Sequence, residues 1–343
     1  MARRLGALLG FGAVAEKAHL PAFATSPDFE LCAVAEADGA RRAAAKAALP
    51  DARIYETPEA LLREEKDLDF VDVATPPFLH AGLVLAALEA KLHVLCEKPL
   101  ALSIEDYARV KAASRAAERC VFTVHNWACS PQWRAVFARL PLIGEVRHAA
   151  LFVSRTQPAR SALPGDWRQD AALAGGGVLV DHGWHNFYLL HRILPGNPKR
   201  LSAKLSPAEG AETTAKITLE YAQATADLWL TWAGAARSNT AVIHGEKGSI
   251  ELRDGELVFE GPRGAETVEF ERKLSAGSAH PDWMAALLPE FAAELADAGV
   301  RGRNLEEAGF CLQTIQRAYQ SARVGRSAVR ESFQKLSGQA QFR

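Results

Sequence analysis

Glu97 and Lys98 close an apolar run, Leu92-His93-Val94-Leu95-Cys96, that reads as a buried parallel strand. A charged pair at the carboxyl end of such a strand is costly unless something uses it, and in an open α/β sheet that edge is where ligands bind. Pro99 fixes its own φ and biases Lys98 toward extended backbone, so the ammonium is aimed. A second pair, Asp181 and His185, follows the glycine run 175–177 at a spacing of four, which puts both side chains on one face of a predicted helix. Gly183 between them costs that helix about 1 kcal/mol relative to Ala, tolerable where a ligand or strand comes close.

A third group would hold a cofactor. Leu5-Gly6-Ala7-Leu8-Leu9 is followed at once by Gly10-Phe11-Gly12-Ala13-Val14-Ala15, the dinucleotide fingerprint with Ala in its third small position. Gly10 permits the tight turn, Gly12 lets backbone approach a pyrophosphate, and Ala15 lets the next helix sit close to the strand. The second strand ends on Glu36, about 20 residues past the motif, where an acid binds the adenosine ribose hydroxyls. Glu36 would repel a 2′-phosphate, and neither Ala37 nor Asp38 offers one a donor, so NAD is expected over NADP. Arg41 and Arg42 read as solvated helix charges.

The elements that must position these residues change character midway. Up to residue 124, strands near 5–9, 31–35, 70–74, 92–96 and 120–124 alternate with helices beginning near Ala13, Gly39, Pro58, His80 and Ser103. This predicts a doubly wound parallel sheet of Rossmann type. Ser103 with Asp106 forms a capping-box pattern with Asp in place of Glu. After His125 the rhythm becomes 145–154, 215–221, 225–232, 240–244, 249–252, 257–259 and 267–270, with turn pairs Lys247-Gly248 and Asp254-Gly255. That predicts an α+β domain over 125–330, a mostly antiparallel open-faced sheet closed by helices at about 282–298 and 304–323, with 331–343 as a tail. A formal charge of −1 without basic blocks argues against nucleic acid or a membrane surface as partner. Five cysteines without CxxC spacing argue for reduced core thiols in a cytoplasm and against a metal site. Met1-Ala2-Arg3-Arg4 runs straight into the first strand, leaving no signal peptide in view.

Taken in order, Gly10-Phe11-Gly12-x-x-Ala15, Ala74-Thr75-Pro76-Pro77-x-x-His80, Glu97-Lys98-Pro99, Ala174-Gly175-Gly176-Gly177-x-x-x-Asp181-x-Gly183-x-His185 and Ala318-Tyr319-x-Ser321-Ala322-x-x-Gly325 resemble the Gfo/Idh/MocA oxidoreductases, which include inositol, glucose-fructose and other sugar dehydrogenases. The resemblance implies a reacting triad of Lys98, Asp181 and His185. It also implies that Thr75 and Pro76 line the cofactor and that His80 lies by the nicotinamide, although His80 equally suits a helix cap. His185, with an ordinary pKa of about 6.5, is the expected general base. Asp181 would orient substrate or imidazole, and Lys98 would stabilise alkoxide charge and brace the nicotinamide ribose. The reverse assignment, Lys98 as proton acceptor, stays open.

The expected activity is hydride exchange between nicotinamide and a secondary hydroxyl or ketone of a sugar, cyclic polyol or related small molecule. Redox-neutral sugar hydrolysis or elimination with retained cofactor, and a non-catalytic NAD sensor, are the alternatives. Asn126-Trp127 stands where many relatives carry an aromatic-Arg pair, which removes the usual support for an Arg-gripped substrate. Arg155, Arg160 and Arg168, beside Trp167, could grip a carboxylate or phosphate, but solvated loop arginines are the commoner outcome. His182 and Trp184 flank Gly183, where Trp184 either stacks on a sugar or fills core. Trp232 reads as core, and His280 as a loop residue free to contact a ligand. An exposed sheet face needs cover, so a homodimer or homotetramer is expected.

Overall fold

The computed structural model describes residues 3–158, 167–168, 170–207 and 210–339, with side chains as far as Val324. The first sheet has six strands, β1 (Arg4–Leu9), β2 (Phe29–Ala35), β3 (Arg53–Tyr55), β4 (Phe70–Val73), β5 (His93–Cys96) and β6 (Val121–Thr123). All pair in parallel in the order β3-β2-β1-β4-β5-β6. This is the Rossmann arrangement, in which strand order reverses at β1 and opens a crevice at the carboxyl ends. Between the strands lie α1 (Leu20–Ala24), α2 (Gly39–Ala48), α3 (Pro58–Glu64), α4 (Pro77–Glu89) and α5 (Ile104–Ala117). Asp38, Thr57 and Ser103 each accept the N–H three residues on, capping α2, α3 and α5.

Three details depart from expectation. β3 escaped the sequence reading because three residues show no period. α4 starts at Pro77 rather than His80, since Pro is pre-organised for the first helical position. The helix expected near Ala13 opens instead as a π-helical stretch, Ala15–His19, before regular α1. The wider turn leaves His19 buried.

The second sheet has eight strands, β7 (Val146–Ser154), β8 (Arg200–Ser206), β9 (Thr214–Glu220), β10 (Thr225–Thr231), β11 (Ser238–Gly245), β12 (Gly248–Arg253), β13 (Glu256–Gly261) and β14 (Gly264–Glu269). Their order is β14-β13-β12-β11-β7-β10-β9-β8, and every pairing is antiparallel except β7 with β10. β8 is an edge strand whose residues alternate only between exposed and half-buried, so its hydrophobic pattern is faint. α6 (Pro131–Arg139) precedes this sheet, while α7 (Ala171–Ala174), α8 (Val178–Asp181) and α9 (Gly183–Ile193) are inserted after β7. α9 packs on β7 and β10, with Trp184 and Phe187 fully buried. On the opposite face Phe152 and Trp229 are 37% and 43% exposed, so the sheet is open on that side.

Two last helices, α10 (Pro281–Ala296) and α11 (Arg303–Gln339), were expected to close the second domain. α10 packs on α1 instead. Its Phe291 ring lies 5.3 Å from Phe29, 5.7 Å from Phe70 and 5.6 Å from Phe122, so the late chain completes the core beneath the first sheet. α11 packs on α9, β6 and β8 and spans both sheets. Where a tail was expected beyond 330, this helix continues to Gln339. Phe291→Ala should therefore lower unfolding free energy by about 3–5 kcal/mol, read as a shift of the urea midpoint. A loss under about 1 kcal/mol would mean that α10 does not complete this core.

Candidate active site

At the carboxyl edge of β5, Glu97 and Lys98 are held from two directions. His19 reaches Asp72 on β4 with Nδ1 at 2.7 Å and Glu97 with Nε2 at 3.1 Å. Burial opposes charge on this ring, but Asp72 and then Glu97 outweigh it and raise its pKa to about 10. Glu97 also accepts the Lys98 N–H at 3.0 Å. From the other side, buried His80 lies between two carbonyls, Pro99 O and Thr75 O, each 2.8 Å away, and a neutral ring donates to one of them. His80 thus ties the Lys98 loop to the Thr75 loop, which joins both to the cofactor crevice.

Lys98 Nζ donates to the Asp181 carbonyl at 2.8 Å and to Asp181 Oδ1 at 3.0 Å. The helix expected to carry Asp181 and His185 on one face is broken. α8 ends at Asp181, α9 starts at Gly183, and the carbonyl that an unbroken helix would give to the His185 N–H goes to Lys98. Burial would raise the Asp181 carboxyl, but Lys98, followed by His182 and Arg168, holds it far below the usual carboxylate range. A Cβ on Gly183 would sit 3.0 Å from the Leu179 side chain of α8, so glycine eases the packing of the two short helices at the break.

His185 stacks on Trp127, centroids 4.8 Å apart and planes at 6°. Its Nδ1 is buried without a partner among the described residues, and burial, then Lys98, keeps the ring neutral. Two more neutral imidazoles line this region. His182 is 3.7 Å from Asp181 and burial lowers it to about 4. His125 is stacked 3.9 Å from Tyr188 and burial lowers it to about 3. Trp184 and Trp232 are core. His280 stacks on Trp283 at 3.5 Å, at the start of α10. Arg168 lies 4.5 Å over Trp167, and Arg160 falls outside the described residues.

The Asp181 turn has its own anchor, which the sequence did not reveal. Buried Glu212 accepts the N–H groups of Gly177 at 3.0 Å and Leu179 at 2.9 Å, and the Tyr319 hydroxyl at 2.9 Å. A Cβ on Gly177 would sit 2.1 Å from the Glu212 carbonyl oxygen, so only glycine admits this approach. Nothing local marks Glu212; only Tyr319, in the last of the recurring motifs, hints at it.

On the cofactor side, Gly10 has φ +90°, and a Cβ there would meet Thr75 at 2.9 Å. Glu36 accepts the Phe11 N–H at 2.7 Å and the Asp38 N–H at 2.9 Å, which places its carboxylate at the glycine turn. Ala13 and Val14 lead directly into the π-helical stretch, and the buried Thr75 hydroxyl has no partner. These features fit a dinucleotide. Of the two arginines expected to be solvated, Arg42 is tied to backbone and Arg41, part-exposed, lies beside the glycine turn. Arg42 donates to the carbonyls of Glu36 at 2.9 Å and Ala37 at 2.6 Å, and Arg41 Nη1 lies 3.6 Å from where a Gly12 Cβ would be.

The buried histidines set two pH windows. His125 and His182 are neutral in the fold and must take up protons on unfolding below about pH 6.5. Their contribution is complete above that value and is lost as pH falls toward about 3 for His125 and about 4 for His182. His19 has the opposite sign: its contribution is complete below about pH 6.5 and is lost as pH rises toward about 10. Melting temperature should therefore plateau near neutrality and fall on both sides, and His19→Gln should make the alkaline fall shallower. An unchanged alkaline limb in that variant would show that His19 is not charged in the fold.

Two family models match, an oxidoreductase-family NAD-binding Rossmann fold over residues 6–125 and a GFO/IDH/MocA C-terminal domain over residues 142–251. The D-glucoside 3-dehydrogenase of Escherichia coli K12 is 31% identical over 183 residues, 52% of this chain and 50% of that protein. An inositol dehydrogenase homolog from Azotobacter vinelandii, solved with NAD+, superposes with a TM-score of 0.78 at 24% identity, over 94% of this chain and 96% of that one. A levoglucosan dehydrogenase in complex with NADH and levoglucosan gives a TM-score of 0.81 at 21% identity, over 94% of this chain and 98% of that one. Likeness at such identities speaks for the fold. With both halves matched and the glycine turn, Lys98 and Asp181 assembled at one sheet edge, the chain belongs to the GFO/IDH/MocA family of NAD-binding oxidoreductases.

Proposed function

We propose that the protein moves a hydride between NAD and a secondary hydroxyl or ketone of a sugar, cyclic polyol or related small molecule, with residues 1–124 holding the cofactor and 125–330 the substrate. The contact of Lys98 with Asp181 carries this reading, because it sets a fixed ammonium beside a neutral imidazole at the ligand-binding edge of the sheet. The sugar-active relatives supply the substrate class. Gly10, Phe11, Gly12, Ala13 and Val14 would receive the pyrophosphate, Glu36 the adenosine ribose, and Thr75, Pro76, His80 and Glu97 would frame the nicotinamide end. Bound nicotinamide accepts or returns the hydride.

His185 takes the hydroxyl proton, while Lys98 donates a hydrogen bond to the same oxygen and stabilises its developing charge. Asp181 positions Lys98 rather than the imidazole. NAD is favoured over NADP because the Glu36 carboxylate occupies the mouth of the glycine turn. The open sheet face bearing Phe152 and Trp229 is the surface for a homodimer or homotetramer.

Reduction of NAD+ across a panel of cyclic polyols, aldoses and sugar acids tests the activity. Lys98→Met should cost about 10²–10³ in kcat and His185→Ala about 10²–10⁴. The acid limb of kcat/KM should lie below about pH 6.5, because His185 loses its proton more readily than a free imidazole. A His185→Ala enzyme with the parent's turnover and pH profile would remove His185 as the base. No net NADH, with nicotinamide recovered after denaturation, would replace dehydrogenation by redox-neutral chemistry. Tighter NADP than NAD binding would reverse the cofactor assignment, and a monodisperse monomer in light scattering the oligomer.

A further inference from the structure

Arg155 directly follows β7 and is only 6% exposed. Its Nη1 donates to Ser154 O at 2.8 Å, Ser238 O at 3.2 Å and Asn239 Oδ1 at 3.0 Å, all neutral acceptors. A buried guanidinium normally takes a carboxylate partner, because desolvation without a counter-charge costs several kcal/mol. Among the described residues none lies within ion-pair distance of Arg155, and Asp181 and Asp254 act on it only through space. Asp181 is engaged by Lys98, and Asp254 accepts the Ser275 N–H at 2.7 Å and hydroxyl at 2.6 Å.

A second cation stands nearby. Arg237 donates to Ser275 O at 3.1 Å and Gly277 O at 2.7 Å, again to carbonyls. Burial first, and then Arg237, push Arg155 down to about 10, so the two guanidiniums repel one another. The location is the reacting site. Arg155 lies 6.0 Å from the Trp127 ring, the same indole that stacks on His185. The three histidines of the pocket are neutral and offset none of this charge.

We propose that Arg155, with Arg237 beside it, forms a subsite for an anionic oxygen group on the substrate, a carboxylate or a phosphate ester. The favoured substrates are then sugar or polyol acids or phosphates rather than neutral sugars. This rests on the dehydrogenase reading and narrows it. The charge comes from the end of β7 and from the β10–β11 connection. Arg155 is the specificity-determining residue, and its planar fork suits both oxyanions.

The test pairs each acid with its neutral twin: D-gluconate with D-glucitol, D-galacturonate with D-galactose, and D-glucose 6-phosphate with D-glucose, extended over the stereoisomers. Binding to the protein–NADH complex is measured by calorimetry, and oxidation is measured with NAD+. At least one acid should bind about 30-fold more tightly than its twin, and Arg155→Met should erase about 30-fold of that preference, with Arg155→Lys intermediate. NADH binding by each variant reports that it has folded. Preference for the phosphate or the carboxylate arm identifies the source of the charge. Acids binding no better than their twins, or a variant that weakens both alike, would overturn the subsite. Oxidation of neutral sugars alone would leave the dehydrogenase reading standing and sink the subsite. Arg155-dependent acid binding without any oxidation would do the reverse.

Discussion

The Lys98–Asp181 ion pair is the contact on which the rest of the site depends. It joins the edge of the parallel sheet to the helical insertion of the antiparallel one, across 83 residues of sequence. Both side chains are largely buried, 15% and 19% exposed. Such a pair gains little net stability, since desolvation consumes most of the Coulomb attraction, yet removing one partner strands the other charge at a cost of about 3–5 kcal/mol. Its value lies in geometry, and that requires both ends to be fixed independently. Pro99, the His19–Asp72–Glu97 network and the His80 bridge fix the lysine end. Glu212, seated on the Gly177 and Leu179 N–H groups and braced by Tyr319, fixes the aspartate end.

That contact also explains where sequence reading succeeded and where it failed. Gly10 to Ala15, Glu36 and Glu97-Lys98-Pro99 are legible because each is a local pattern at a strand end, and local patterns survive in one dimension. The Ser103–Asp106 cap is another: the Ser103 hydroxyl accepts the Asp106 N–H at 3.0 Å, as the spacing implied. The helix break at His182 is illegible for the opposite reason. The stretch after the glycine run, carrying Asp181 and His185, reads as one helix, and it is a lysine 83 positions away that takes one of its carbonyls. His19 and Glu212 were missed for the same reason, since their partners lie 53 and 107 residues away. The strands that escaped, β3 and β8, sit at sheet edges, where few neighbours demand an apolar face.

The division of the molecule was also less clean than the change of rhythm at His125 implied. Phe291 comes late in the chain yet fills the core with Phe29, Phe70 and Phe122 of the first sheet. α11 packs against β6 and β8 together. The parallel sheet therefore relies on the C-terminal chain for part of its cover, and the cleft between the sheets is spanned by packed helices as well as by one ion pair. Such bracing limits how far Asp181 can move relative to Lys98, which an aimed ammonium requires.

The charge arrangement bears on the proton transfer. Burial first, and then Lys98, oppose a positive charge on His185, and Asp181, which accepts from Lys98, offsets them only in part and through space. A neutral imidazole beside an ammonium avoids burying two cations together. A lowered pKa makes this ring a weaker base and, once charged, a stronger acid, so on the dehydrogenase reading abstraction relies on the Lys98 hydrogen bond to make the hydroxyl more acidic. A substrate bearing an anionic group changes the balance at Arg155 without supplying the counter-charge that His185 lacks, because the Trp127 indole packs against both groups. On the proposed mechanism the Lys98 ammonium and the neutral His185 ring therefore act as a pair, the first stabilising the alkoxide that the second, a weakened base, draws out.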